Sequence, residues 1–211
     1  MPFDSGSASF RLYHLPRPLP EDALDGFRDR VAPPLDYVKE EPVYGWVTGR
    51  HLLDRQLDEA NAIYGGYLRL CLLQAERKIP TSLLRAEMRQ EKLVRLTISG
   101  HDSISRREKA EIKQEISERL LPQMPPQLKG YTFVHRQGEP WLFAETLGEK
   151  QVDTFSSYFR DAVGFMPELV TPESAALHAA RVDVRDLMAT SFSEEVEDAR
   201  TAEEVGYEFR H

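Results

Sequence analysis

The 211 residues hold a single cysteine, Cys71, so an internal disulfide is excluded, and its place in the apolar run YLRLCLL marks a buried thiol in a reducing compartment. No apolar stretch approaches the roughly 18 residues of a membrane span. The N-terminal MPFDSGSASF lacks the basic and apolar regions of a secretory signal, so a cytoplasmic protein with no membrane partner is expected. The histidines, His14, His51, His101, His135, His178 and His211, show no i, i+4 pairing and no thiol partner at ligand spacing, which speaks against structural zinc. Gly65-Gly66 is not followed by Lys and Ser or Thr, so a phosphate loop is missing. No candidate nucleophile carries a serine- or cysteine-triad signature. No cofactor, no metal and no catalysis are expected. One minor alternative stands beside that reading: Glu76-Arg77-Lys78, with Asp58 upstream, has the loose outline of a metal-dependent nuclease.

Positive charge is also in deficit, 27 Lys and Arg against 35 Asp and Glu, for a formal net charge of −8. Nucleic acid repels such a chain on average, so a role there requires a local patch acting against the global field. The imbalance is unevenly spread. Residues 68–129 carry 13 basic against 8 acidic side chains, a net of +5, whereas residues 1–67, 130–172 and 173–211 carry −4, −3 and −6. The hydrophobic content of 41% and charged content of 29% are those of an ordinary soluble domain.

The segment SFRLYHL alternates as a half-buried strand does, with Phe10, Leu12 and His14 on one side and Arg11 and Tyr13 on the other. LPEDALDGFRDRV reads as a helix with an acidic first turn, Arg28 and Arg30 in its last turn and Pro33-Pro34 as its stop. YGWVTG is a short strand or turn, and GYLRLCLLQAERKIP a long strand entering a central sheet. Two helices follow. SLLRAEMRQEKLVRL is capped by Thr81 or Ser82 and closed by the turn SGHDS; the second opens on a Ser105–Glu108 capping box and stops at Pro122. YTFVHR, a turn at Gln137 to Pro140 and WLFAET make a β-hairpin, and the helix EKQVDTFSSYFRDAVG and an edge strand near MPELV complete the pattern. Trp46 and Trp141 could stack on bases, although Trp in a β-rich lobe belongs more often to the core.

The expected fold is therefore α+β: two related sheet-and-helix halves, residues 1–80 and 126–172, with a basic helical hairpin over residues 81–125 projecting between them. Residues 173–211 read as an acidic helix and tail.

SRREKAEIKQEISERLLPQMP, residues 105–125, places five basic side chains in this acidic protein. At about 100° per residue, Ile112, Ile116 and Leu120 form a narrow apolar stripe, Arg106, Lys109 and Lys113 lie within about 60° of one another beside it, and Glu111, Glu115 and Glu118 face away. The sequence offers one i, i+4 pair with the acid first here, Glu115 with Arg119. Arg85, Arg89 and Lys92 share an arc of about 60° on the preceding helix, with Arg95 close by. Long cations on neighbouring helices suit phosphate binding, which does not require reading base edges. A solvated charged face is the bland reading of the same pattern.

KIPTS before a basic helix, then SRREKAEIKQEISERLLP, YTFVHRQGEPWLFAET and FMPELVTPES, together resemble the RdgC family of recombination-associated proteins over about residues 9 to 172. The resemblance implies a bacterial, nucleoid-associated homodimer. It would bind double-stranded DNA without sequence preference, enclose it in a ring with a positive channel and restrain RecA-dependent strand exchange. By position it places Lys78, Arg85, Arg89, Lys92, Arg106, Arg107, Lys109 and Lys113 in the family's basic hairpin, and Arg95 joins them from the arc above. After Leu120-Leu121-Pro122 this chain has Gln123, Met124 and Pro125 where the family has a basic and an aromatic residue. The family's longer C-terminal portion has no counterpart in these residues, which leaves ring closure open. The alternative is a protein-interaction module that has lost DNA binding and carries an acidic, DNA-mimicking tail.

Overall fold

In the computed structural model, which describes residues 9–100, 103–145 and 148–180, the chain runs as follows. β1 (Phe10–His14), α1 (Ala23–Arg28), β2 (Val43–Thr48), α2 (Glu59–Ala62), β3 (Ile63–Tyr64) and β4 (Tyr67–Glu76) precede two long helices, α3 (Thr81–Ser99) and α4 (Arg106–Leu120). β5 (Gln127–Arg136), β6 (Trp141–Glu145), α5 (Glu149–Val163), β7 (Glu168–Leu169) and α6 (Pro172–Ala180) follow. The class is α+β. All strand pairings are antiparallel, in the order β2-β4-β5-β6-β1-β7, with β3 beside β4.

The two halves read from the sequence meet in one sheet instead of building two. β1, from the first stretch of chain, pairs with β6 on one edge and β7 on the other. β4 and β5 pair over ten residues each, from Tyr67 opposite Arg136 to Glu76 opposite Gln127. β5 thus starts four residues before the YTFVHR pattern, because Gln127 to Gly130 find partners along the end of β4 even though they carry little strand propensity. Residues up to Leu169 belong to one compact unit and those from Val170 to a second. In the second, α6 opens where Thr171 and Ser174 exchange backbone-to-hydroxyl hydrogen bonds of 2.8 and 3.2 Å. Beyond Ala180, the expected acidic tail lies outside the described residues.

β4 is buried on both faces, which explains its nearly continuous apolar run. On one face Leu68, Leu70 and Leu72 join Trp46, Phe133, Leu142 and Tyr13 beneath Phe27 of α1 and Phe155 and Phe159 of α5. The rings meet mostly edge to face, Phe27 and Trp46 with centroids 4.9 Å apart. Trp46 is fully buried, as its core reading expects. Phe155, Phe159 and Val163 recur at intervals of four residues and give α5 a single buried face. α1 can approach α5 closely only because residue 26 is glycine: a Cβ there would stand 2.0 Å from the Ala162 carbonyl oxygen. On the opposite face a smaller cluster, Ala32, Val47, Cys71 and Leu73, lies under Leu52 and Leu128. Burial pushes the Cys71 thiol up to about 12, so it is unreactive at neutral pH.

His135 is the titratable group most exposed to consequence, because the sheet leaves it 1% accessible. Its Nδ1 lies 3.0 Å from the Trp141 carbonyl oxygen, an atom that only accepts, so Nδ1 carries the proton and donates it. Burial disfavours the imidazolium and lowers the pKa from 6.5, with the carbonyl contact opposing in part. Because the unfolded chain takes up a proton near its unshifted pKa and the folded chain resists it, His135 contributes full stability above about pH 6.5 and progressively less as pH falls below it. Thermal melts of the parent and of His135→Gln at about pH 7.5 and about pH 5 should therefore show a smaller acid-induced loss in the variant.

Candidate nucleic-acid interface

α3 is rich in Leu, Arg, Glu, Met and Gln, all strong helix formers. Its N-cap is Pro80, and no side chain caps it; Thr81, expected as a cap, is already helical. The reason is that Pro80 takes the extended cap conformation by its own ring constraint. Gly100, at φ +68°, closes the helix with its N–H on the Leu96 carbonyl, 3.0 Å away. α4 opens on the expected capping box: Glu108 N–H donates to Ser105 Oγ at 3.2 Å, and Ser105 N–H donates to Glu108 Oε2 at 2.8 Å. Ile104, Ile112, Ile116 and Leu120 then pack on Leu83, Leu84, Met88 and Leu96. No residue of α3 is fully buried, so the pair stands out from the sheet on a small core of its own.

Arg77 holds the foot of this hairpin. Its backbone N–H donates to Lys39 O at 2.7 Å, and its guanidinium donates to Val38 O at 2.9 Å, to Leu35 O at 3.3 Å and to Met124 O. One side chain thereby ties the entry to the hairpin, its exit and the loop after α1. Nothing in the sequence pattern points to this role, since Arg77 reads as one more basic residue in ERKIP.

The hairpin sorts its charges. Across it, Arg95 pairs with Glu115 and Arg119 with Glu87; along it, Arg95 also reaches Glu91 at 3.3 Å and Arg107 reaches Glu111 at 3.0 Å. The Glu115–Arg119 pair expected along α4 is thus replaced by two bridges between helices, where each partner gains a contact that also fixes their packing. Lys78 sits 2.7 Å from Glu76, a carboxylate only 7% exposed, and offsets its charge. Of the nine cations singled out in the sequence, Lys78, Arg95 and Arg107 are therefore engaged with carboxylates. Among the described residues no ion pair engages Arg85, Arg89, Lys92, Arg106, Lys109 or Lys113, and all six are exposed.

Arg85, Arg89 and Lys92 of α3 face Lys109 of α4 across a groove of about 370 Å³ floored by Met88 and Ile112. From Arg85 to Lys92 the cations advance about 10 Å along the helix axis, close to the axial rise of three base pairs of duplex DNA. Lys113 does not join them. It lines a separate recess of about 410 Å³ with Glu40 and Glu118. Arg106 occupies the first turn of α4, where the helix dipole disfavours a cation; its placement does nothing for the helix. The nuclease outline is not assembled: Asp58 accepts from Asn61 N at 2.9 Å and caps α2. α2 leads into β3 at the Tyr67 end of β4, whereas Glu76 lies at the other end, roughly 30 Å along the strand.

Residues 25–182 match the family described as "Putative exonuclease, RdgC". A "Recombination-associated protein RdgC" from Tolumonas auensis is 25% identical over 164 residues, which are 75% of this chain and 52% of that protein. The chain thus spans about half the length of this relative.

Two substitutions separate the hairpin's scaffold from its surface. Arg77→Ala should cost about 2–4 kcal/mol in urea unfolding, because it leaves several carbonyls at the foot without their charged donor. Ile112→Ala with Ile116→Ala should cost several kcal/mol through lost burial and cavities, roughly 2–5 for each site. Either variant unfolding with the parent's midpoint would mean that the hairpin core is not coupled to the stability being measured.

Proposed function

The chain belongs to the RdgC family, and from that premise we propose that it binds double-stranded DNA without sequence preference through the α3–α4 groove and acts in homologous recombination. The observation that carries the reading is the sorting of charge: carboxylates of the hairpin are drawn into bridges with Arg95, Arg107 and Arg119, and the groove keeps four cations with no acidic partner among the described residues. A surface built only for solubility gains nothing from such segregation, since intermixed i, i+4 pairs would also stabilise the helices. A polyanion does gain, because each phosphate it places in the groove releases condensed counterions. Flexible stems over an apolar floor, with no fixed array of donors aimed at base edges, support indifference to sequence.

The finer reading follows the family: a homodimer in the bacterial cytoplasm, associated with the nucleoid, that restrains RecA-dependent strand exchange by occupying duplex DNA. The role is one of binding, not cleavage. The nuclease outlined in the sequence has less support, because Glu76 pairs with Lys78 and Asp58 caps α2.

Titration of duplex DNA at several salt concentrations tests this. Affinity should fall steeply, by about −0.9 in log–log slope for each neutralised phosphate, and unrelated duplexes should bind alike. Arg85→Gln, Arg89→Gln and Lys109→Gln together should reduce that slope by about three phosphate equivalents. The same variant should change stability by less than about 1 kcal/mol, since these side chains are exposed. A flat salt response, or no binding at low salt, would favour the protein-interaction module.

A further inference from the structure

Helices cover one face of the sheet, and the other face is covered only in part. Around Cys71 and Leu73 it lies under Leu52 and Leu128. Toward the Tyr67 end it keeps solvent access, with Tyr67 42% exposed. The strand register sets one row of side chains on this open half: Tyr64 opposite Tyr67, Tyr67 opposite Arg136, and His14 opposite both Trp141 and Glu168. His135 pairs with Leu142, so one step along Arg136 and Trp141 share the same face. At about 4.8 Å between strands, the row crosses six strands and about 24 Å.

The chemistry of the row is aromatic rings interleaved with arginines. The Arg50 guanidinium lies 3.9 Å from the centre of the Tyr64 ring, and that of Arg136 lies 5.9 Å from the centre of Tyr67. Behind them Phe143 and Phe10 meet edge to face at 5.2 Å, and His14 stands edge-on to Trp141 at 5.4 Å. Acidic groups sit at the borders: Glu139 holds Arg136 at 3.0 Å and Glu168 approaches His14 at 3.5 Å.

We infer that this shelf binds single-stranded nucleic acid, with Tyr67 and Trp141 stacking unpaired bases while Arg50 and Arg136 meet the phosphates. Protein interfaces also favour Tyr, Trp and Arg; what favours a single strand here is the alternation of ring faces and guanidinium groups along one row, which matches alternating bases and phosphates. Every base has a π-face, so such stacking tolerates any sequence, but a duplex keeps its bases stacked inside and cannot use the shelf. The inference rests on the DNA-binding reading of the chain and assigns the unpaired form of the polymer to a surface apart from the groove. Arg136 gives up or shares Glu139 when it takes a phosphate.

Trp141 supplies the test, because the other tryptophan, Trp46, is fully buried. Titration of the full chain with an oligo-dT of about 15 nucleotides should quench tryptophan fluorescence, and Trp141→Phe should abolish the quench. Tyr67→Ala with Arg50→Gln should weaken oligo-dT binding about ten-fold or more while leaving duplex affinity and its salt slope unchanged. Unaltered fluorescence when the oligonucleotide is saturating, or parental oligo-dT affinity in the shelf variant, would overturn the inference. So would loss of self-association in that variant, seen by sedimentation, with oligo-dT affinity unchanged, which would give the shelf to a second copy of the chain. If the parent binds oligo-dT with quenching yet binds no duplex, the groove reading fails and the shelf stands. The parent's own fluorescence decides the matter if a variant unfolds.

Discussion

The ladder between β4 and β5 is the constraint on which the other elements depend. Its ten paired positions bring together segments that the sequence separates by the whole helical hairpin, and they end with Glu76 opposite Gln127. That last pair fixes the distance between the points where the chain leaves the sheet and returns to it. α3 and α4 therefore amount to a long insertion in a β-hairpin connection, and Arg77 clamps its mouth through carbonyls on both sides. The same ladder carries β4 through the centre of the sheet, so the aromatic core on one face and the Cys71 cluster on the other form on a single strand.

Because the hairpin is anchored at its foot, its own stability is a local matter of one apolar seam and a few bridges. The seam fixes which side of each helix is left over for solvent. Bridges between Arg95 and Glu115 and between Arg119 and Glu87 then use the acidic side chains to hold the helices in register. Exposed ion pairs of this kind add little energy individually. Their larger effect is electrostatic bookkeeping over the surface: they remove negative charge from the vicinity of the groove, so a local positive potential survives in a protein of net charge −8.

Much of this was legible in the sequence wherever a single periodic rule decided the outcome. The Ile112, Ile116 and Leu120 stripe gave the buried side of α4, Ser105 and Glu108 gave its start, and YLRLCLL gave the doubly buried strand. Merging of the halves into one sheet was not legible, because β1 carries no signal for choosing β6 and β7 over nearer strands; pairing is decided by packing against α5 and by register, both non-local. The candidate cations were legible as an arc on each helix. Their division into groove, recess and ion pairs was not, since a helical wheel contains no information about the partner helix. Lys113 and Lys109 are one turn apart in sequence and line different concavities. The shelf was hidden for a similar reason: Tyr64, Arg136 and Trp141 are scattered along the chain and become a row only through the register.

Gly100 and the capping box at Ser105 lie at the far end of the hairpin from Arg77, and nothing in the sheet register refers to them. Length is consequently a free variable of this architecture. Adding two turns to each helix would carry the tip about 11 Å farther from the sheet without shifting one strand pair or unseating the clamp. The geometry of the foot sets where the arm points, and the number of turns alone sets how far it reaches.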